Sequence, residues 1–146
     1  MIIKLEQESA ELLRYCDIEI YKYDGNWETT LYSKLDHPPL VGIDHTIYPH
    51  HESFLADSAM YGVVTSHLYR CSRLCSCRGQ FIWWGKRVLS VLVDKQYNAK
   101  KLQSYSRRFL ARHAYLYGGS WRGLQKDLWT DIEQGWRFKP KTMDST

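Results

Sequence analysis

Between Tyr15 and Tyr23 the chain alternates, with Cys16, Ile18 and Ile20 on one side and Tyr15, Asp17, Glu19 and Tyr21 on the other. A period of two is that of a half-buried strand. Asp24-Gly25-Asn26 follows as a hairpin turn, because Asp-Gly readily takes positive φ. "WETTLYSK" then supplies the β-branched and aromatic residues of a return strand, so a hairpin over 15–22 and 27–34 is predicted. A short leading strand at Ile2–Leu5 joins it. Residues 35–53 hold Pro38, Pro39 and Pro49 and read as a loop.

From about Ser53 the period changes. Ser53 or Asp57 can N-cap a helix running to about Cys75, and Gly79 interrupts the run. In "FIWWGKRVLSVLVDKQY", Phe81, Gly85, Val88 and Leu92 share one face, flanked by Ile82, Leu89 and Val93, as in a core helix. "NAKKLQSYSRRFLARH" divides more sharply. Asn98 is a good N-cap; Leu102, Tyr105, Phe109 and His113 lie on one face, and Lys100, Lys101, Arg107, Arg108 and Arg112 on the other. "YGGS" at 117–120 ends it, and Ser120 can cap a last helix carrying Leu124, Leu128, Trp129 and Ile132. The expected fold class is α+β: a small antiparallel hairpin sheet within residues 2–34, then a three- to four-helix bundle. Residues 1–117 form the expected domain and 118–146 a helical extension ending in a frayed tail.

Charge sharpens this picture. The net charge of +4 conceals an acidic residues 1–70, with 5 Lys/Arg against 11 Asp/Glu, and a basic residues 71–146, with 15 against 5. An anionic partner for the second half is one reading of that split; solvated helix faces are the other. Six Trp and 11 Tyr in 146 residues exceed what one small core needs, and such rings also anchor interfaces. No stretch approaches the roughly 20 apolar residues of a membrane helix. "MIIKLEQESAELL" lacks the marks of a secretory signal, so reduced cysteines and an intracellular setting, an organelle included, are expected.

Candidate chemistry concentrates in "HLYRCSRLCSCR" at 67–78, which holds three of the four cysteines. Zinc usually takes two Cys pairs, or a Cys pair and a His pair, whereas Cys71, Cys75 and Cys77 give C-x(3)-C-x-C with no second pair. His67 and Cys71 share a helix face, but Cys77 falls past the helix end. Free cysteine packs as a small hydrophobe, and that is the expectation here. His37, His45, His50 and His51 share the Pro-rich loop without nearby cysteines, and adjacent histidines rarely hold one ion together. No metal and no cofactor are expected. There is no Asp-Asp pair, no Gly-rich phosphate loop with its lysine, and nothing that fixes a Cys–His nucleophile, so the sequence does not read as an enzyme.

The order of the pieces carries a resemblance. "CDIEIY", "TTLYSK", "IYPHHES", "YGVVTSHLYRCSRLCS" and "LVDKQYNAKKL" together resemble the palm-end and thumb region of retroelement-type reverse transcriptases, of the Penelope-like and other non-LTR kinds and related algal and protist sequences. The likeness covers about residues 2–117. Asp17 corresponds to the structural aspartate of the family's Leu-Asp strand, with Cys16 in place of the leucine. "YPHHES" inverts the family's His-Pro, and Gln96 stands where Gly is usual. The catalytic aspartates of the family's Tyr-x-Asp-Asp hairpin have no counterpart here.

The resemblance implies a thumb, which grips template–primer duplex by its phosphates. Lys100, Lys101, Arg107, Arg108 and Arg112 are the candidate contacts, with Lys86, Arg87 and Lys95 extending the patch. The expected function is non-catalytic binding of an RNA or duplex backbone. The alternative is a structural accessory subunit of a large eukaryotic assembly, such as an organellar ribosome or a photosynthetic or respiratory complex, with protein subunits as partners.

Overall fold

The computed structural model describes residues 9–33, 36, 48–113 and 115–139. Three strands, β1 (Leu12–Tyr15), β2 (Ile18–Tyr23) and β3 (Asn26–Leu31), form one antiparallel sheet in the order β1-β2-β3. The β2–β3 turn is the expected one: Asp24 and Gly25 both take positive φ, 50° and 78°. The alternation from Tyr15 onward is not one strand, however. Cys16 and Asp17 form a second tight turn with Cys16 at φ 52°, and Tyr15 closes β1 opposite Ile18. The third strand is therefore Leu12–Tyr15; the Ile2–Leu5 segment lies outside the described residues.

Four helices follow: α1 (Asp57–Leu74), α2 (Arg78–Asp94), α3 (Ala99–Arg112) and α4 (Trp121–Glu133). Ala56 occupies the N-cap of α1 without a side-chain hydrogen bond, and Asp57 is its first helical residue. Asp57 there complements the helix dipole. The α1–α2 break sits at Cys75–Cys77, and Gly79 lies inside the first turn of α2. Asn98 caps α3 by accepting from the Lys101 amide, and Ser120 caps α4 by accepting from the Arg122 amide. α3 ends at Arg112; a 3-10 turn at Leu116–Gly118 intervenes, with Tyr117 in the left-handed region at φ 56°.

The helices share one core. Leu68 and Cys71 of α1, Phe81, Leu89 and Leu92 of α2, Leu102 and Leu110 of α3, and Leu124 and Leu128 of α4 are all buried within it. α4 thus completes the bundle of residues 57–112 rather than standing beside a finished domain. Gly85 lets α2 approach closely: a Cβ there would meet Leu128 Cδ2 at 2.7 Å and Leu68 Cδ2 at 3.1 Å. Ser106 ties α3 to α4, accepting from Trp129 Nε1 at 3.0 Å and lying 3.0 Å from Gln125 Oε1.

The sheet joins the bundle through Thr30 and the α1–α2 break. Thr30 Oγ1 donates to Gln80 Oε1 (2.8 Å) and accepts from Trp84 Nε1 (3.0 Å). Ser76 lies along β3: its amide donates to the Thr29 carbonyl at 2.9 Å, and its Oγ accepts from the Thr29 amide at 2.9 Å. No helix among the described residues is long and apolar enough to cross a membrane.

Candidate nucleic-acid interface

The sequence of α3 contains five cations and no acid, and the helix period decides where they point. Leu102, Ser106, Phe109 and Leu110 are buried. Lys100, Lys101, Arg107, Arg108 and Arg112 are exposed. Residues three, four or seven apart share a row, which sets Lys101, Arg108 and Arg112 along one line and Lys100 and Arg107 along its neighbour. From residue 100 to residue 112 a helix rises about 18 Å, the rise of about five base pairs.

These cations are not neutralised equally. Lys101 Nζ lies 2.7 Å from Asp57 Oδ2, so one charge is matched by the first turn of α1. That carboxylate pushes the Lys101 pKa up. Lys100, Arg107, Arg108 and Arg112 have no carboxylate partner among the described residues. The arrangement costs helix stability, since Lys100 and Lys101 oppose the dipole in the first turn and Arg108 and Arg112 form a like-charge i,i+4 pair. Arg108 also covers the Tyr105 ring, with its guanidinium carbon 5.2 Å from the centroid. His113, expected on the apolar face, is exposed at the helix end, with its ring 4.4 Å from that of Phe109.

The three cations expected to extend the patch are placed differently. Arg87 is only 15% exposed and holds Asp36 through two contacts, 2.5 and 2.7 Å, while covering Phe138 at 4.0 Å and Trp84 at 4.7 Å. Lys86, also 15% exposed, reaches Asp131 of α4 at 2.9 Å and lies 4.5 Å from the Trp136 ring. Both charges are spent on the fold's own carboxylates. Lys95 is half-buried after α2, beside the His50–His51 turn. Asp36 and Asp131 stand 51 and 45 residues away from their partners, so no local pattern announces these pairs.

The cysteine-rich stretch forms the inner side of the α1–α2 corner. His67 Nε2 donates to the Trp84 carbonyl at 2.9 Å and lies 3.3 Å from Cys71 Sγ. Burial pushes His67 down to about 4, so the imidazole stays neutral, and burial pushes the Cys71 and Cys75 thiols up, away from thiolate. Such thiols are poor ligands and poor nucleophiles. Among the described residues, the donor atoms of His67, Cys71, Cys75 and Cys77 do not gather around one ion position. Tyr117 closes the corner by donating to the Cys75 carbonyl at 2.7 Å.

Compared with protein-family models, with curated proteins and with solved structures, the chain matches none significantly.

Proposed function

We propose that this protein is a non-catalytic binder of nucleic-acid backbone, RNA or duplex, and that the outer face of α3 is its contact surface. The observation that carries this reading is the unneutralised set Lys100, Arg107, Arg108 and Arg112, exposed on one helix that has no acid. A helix that keeps like charges together at a cost to its own stability is well suited to a polyanion. Phosphate contacts of this kind are blind to sequence and release counterions. The reading also agrees with descent from a reverse-transcriptase thumb.

Binding to a short duplex should fall with salt at a slope near −0.9 per contact, so about four contacts imply roughly a 100-fold loss between 50 and 200 mM salt. R107E/R108E/R112E should abolish binding, whereas the triple lysine variant at the same positions should retain it. All three side chains are exposed, so the fold should be unchanged by circular dichroism. Unchanged affinity and slope in the charge-reversed protein would remove α3 from the account.

A second reading, an accessory subunit held by protein partners, rests on the sheet. Register places Leu13, Tyr15, Ile18, Ile20 and Trp27 on the sheet face opposite Thr30, with Tyr15 74% and Trp27 52% exposed. Trp121 and Trp136 are half-buried, and Trp136 packs on Trp83. Native co-purification separates the readings: partners that survive nuclease and high salt favour the subunit, and loss under nuclease favours the binder.

A further inference from the structure

Adjacent histidines rarely hold one ion together, and on an extended backbone their side chains point to opposite sides. The backbone here is not extended. The Ser53 amide donates to the His50 carbonyl at 2.9 Å, closing a turn that brings the two imidazoles together, 4.3 Å between centroids and tilted by 40°. Glu52 stands in the same turn, its Oε1 3.6 Å from His51 Nε2. One donor atom from each of His50, His51 and Glu52 lies within 4.8 Å of the other two.

Three further observations bear on the turn. His51 Nδ1 is buried without a hydrogen-bond partner among the described residues, an arrangement that is unfavourable unless something satisfies the nitrogen. A cavity of about 320 Å³ opens beside the turn, lined by Tyr48, His50, His51, Asp94, Lys95 and Gln96. The turn is also fixed in place, because Tyr97 donates to the Pro49 carbonyl from the α2–α3 junction.

We infer that His50, His51 and Glu52 form a site for a divalent transition-metal cation of the zinc class. Two imidazoles and one carboxylate are the donor set of open sites, in which the remaining position is left to water or a ligand, here facing the cavity. Nitrogen donors argue against calcium or magnesium, which take oxygen. Ligands about 2.1 Å from a tetrahedral ion lie roughly 3.4 Å from one another, so the donors must close by about 1 Å. Glu52, 77% exposed on a flexible stem, can supply much of that movement. The ion would lock the turn of residues 50–52 that precedes α1.

The test uses the full chain, stripped with chelator, titrated with Zn²⁺ by calorimetry and with Co²⁺ by absorption. The expected result is one ion per chain, with micromolar or tighter affinity on the order of that of open three-ligand sites. H50A and H51A should each weaken binding by at least about 10-fold, E52Q should weaken it as well, and the cobalt spectrum should lack a sulfur charge-transfer band. The exposed histidine and glutamate can be replaced without disturbing the core, which circular dichroism checks. No binding at about 100 μM Zn²⁺, binding retained in H50A/H51A, or a cobalt–sulfur band would each overturn the assignment.

Discussion

Gly85 sits where α2 meets α1 and α4, and replacing it with alanine sets two effects of known size against each other. Alanine in a helix interior is favoured over glycine by about 1 kcal/mol. Its Cβ would lie 2.7 Å from Leu128 Cδ2, about 1 Å inside ordinary carbon contact. Leu128 is 0% and Leu68 1% exposed, so neither methyl has open space to enter. Overpacking of this kind costs about 1–3 kcal/mol. The clash should win, leaving G85A less stable by up to about 2 kcal/mol. With an unfolding entropy near 2.1 cal/mol/K per residue, that is a fall in Tm of up to about 6 °C for 146 residues. The decisive assay is a double-mutant cycle followed by urea and thermal unfolding. L128A alone should cost about 2–5 kcal/mol, but it removes the atom Gly85 avoids. In that background G85A should change sign and stabilise. G62A is the matched control: nothing lies within 4 Å of its added methyl, so it should stabilise by about 1 kcal/mol. A G85A change of the same size with and without Leu128 would refute the close-approach argument.

Ser106→Ala should cost about 1–3 kcal/mol, because it strands the indole N–H of Trp129, and Ser106→Thr should not restore the buried site; chemical denaturation reads both. R87A should destabilise by about 2–3 kcal/mol with little dependence on salt, and R87K should recover only part of the loss, since an ammonium cannot hold Asp36 at two points or cover Phe138 in the same way. His67 is held neutral down to about 4, below the ordinary value of 6.5, so its contribution is fully present above pH 6.5 and fades as the pH falls toward 4. Across that window the wild type should lose about 3 kcal/mol more than H67Q in urea titrations at stepped pH. Truncation after residue 117 should abolish cooperative unfolding, because it removes Leu124, Leu128, Trp129 and Ile132 from the shared core.

The helices were legible because their signals are local. Asn98 and Ser120 act as the caps they resemble, and the Phe81, Gly85, Val88 and Leu92 face is buried as its spacing requires. The sheet was only half legible. The Asp24-Gly25 turn carries its signature, whereas Cys16 adopts positive φ without one, and the alternation running through it disguised a turn as a strand. The basic face of α3 follows from period alone. The removal of Lys86 and Arg87 from that surface depends on carboxylates far along the chain, which no window of sequence brings together. The nearness of His50, His51 and Glu52 was not legible for a related reason: it depends on the turn closed by the Ser53 amide.

Ser76 has a consequence for how this sheet can grow. A β-sheet ends in two rows of unpaired amides and carbonyls, each a template for another chain. On the β3 side, Ser76 occupies both groups of Thr29, so the helical corner blunts that border. On the β1 side, Ser9 Oγ accepts from the Leu12 amide at 3.1 Å. Any strand arriving at β3, from a partner or from a second copy, would therefore find the Thr29 amide and carbonyl already taken, so the same serine that fastens sheet to bundle also guards that border against self-association.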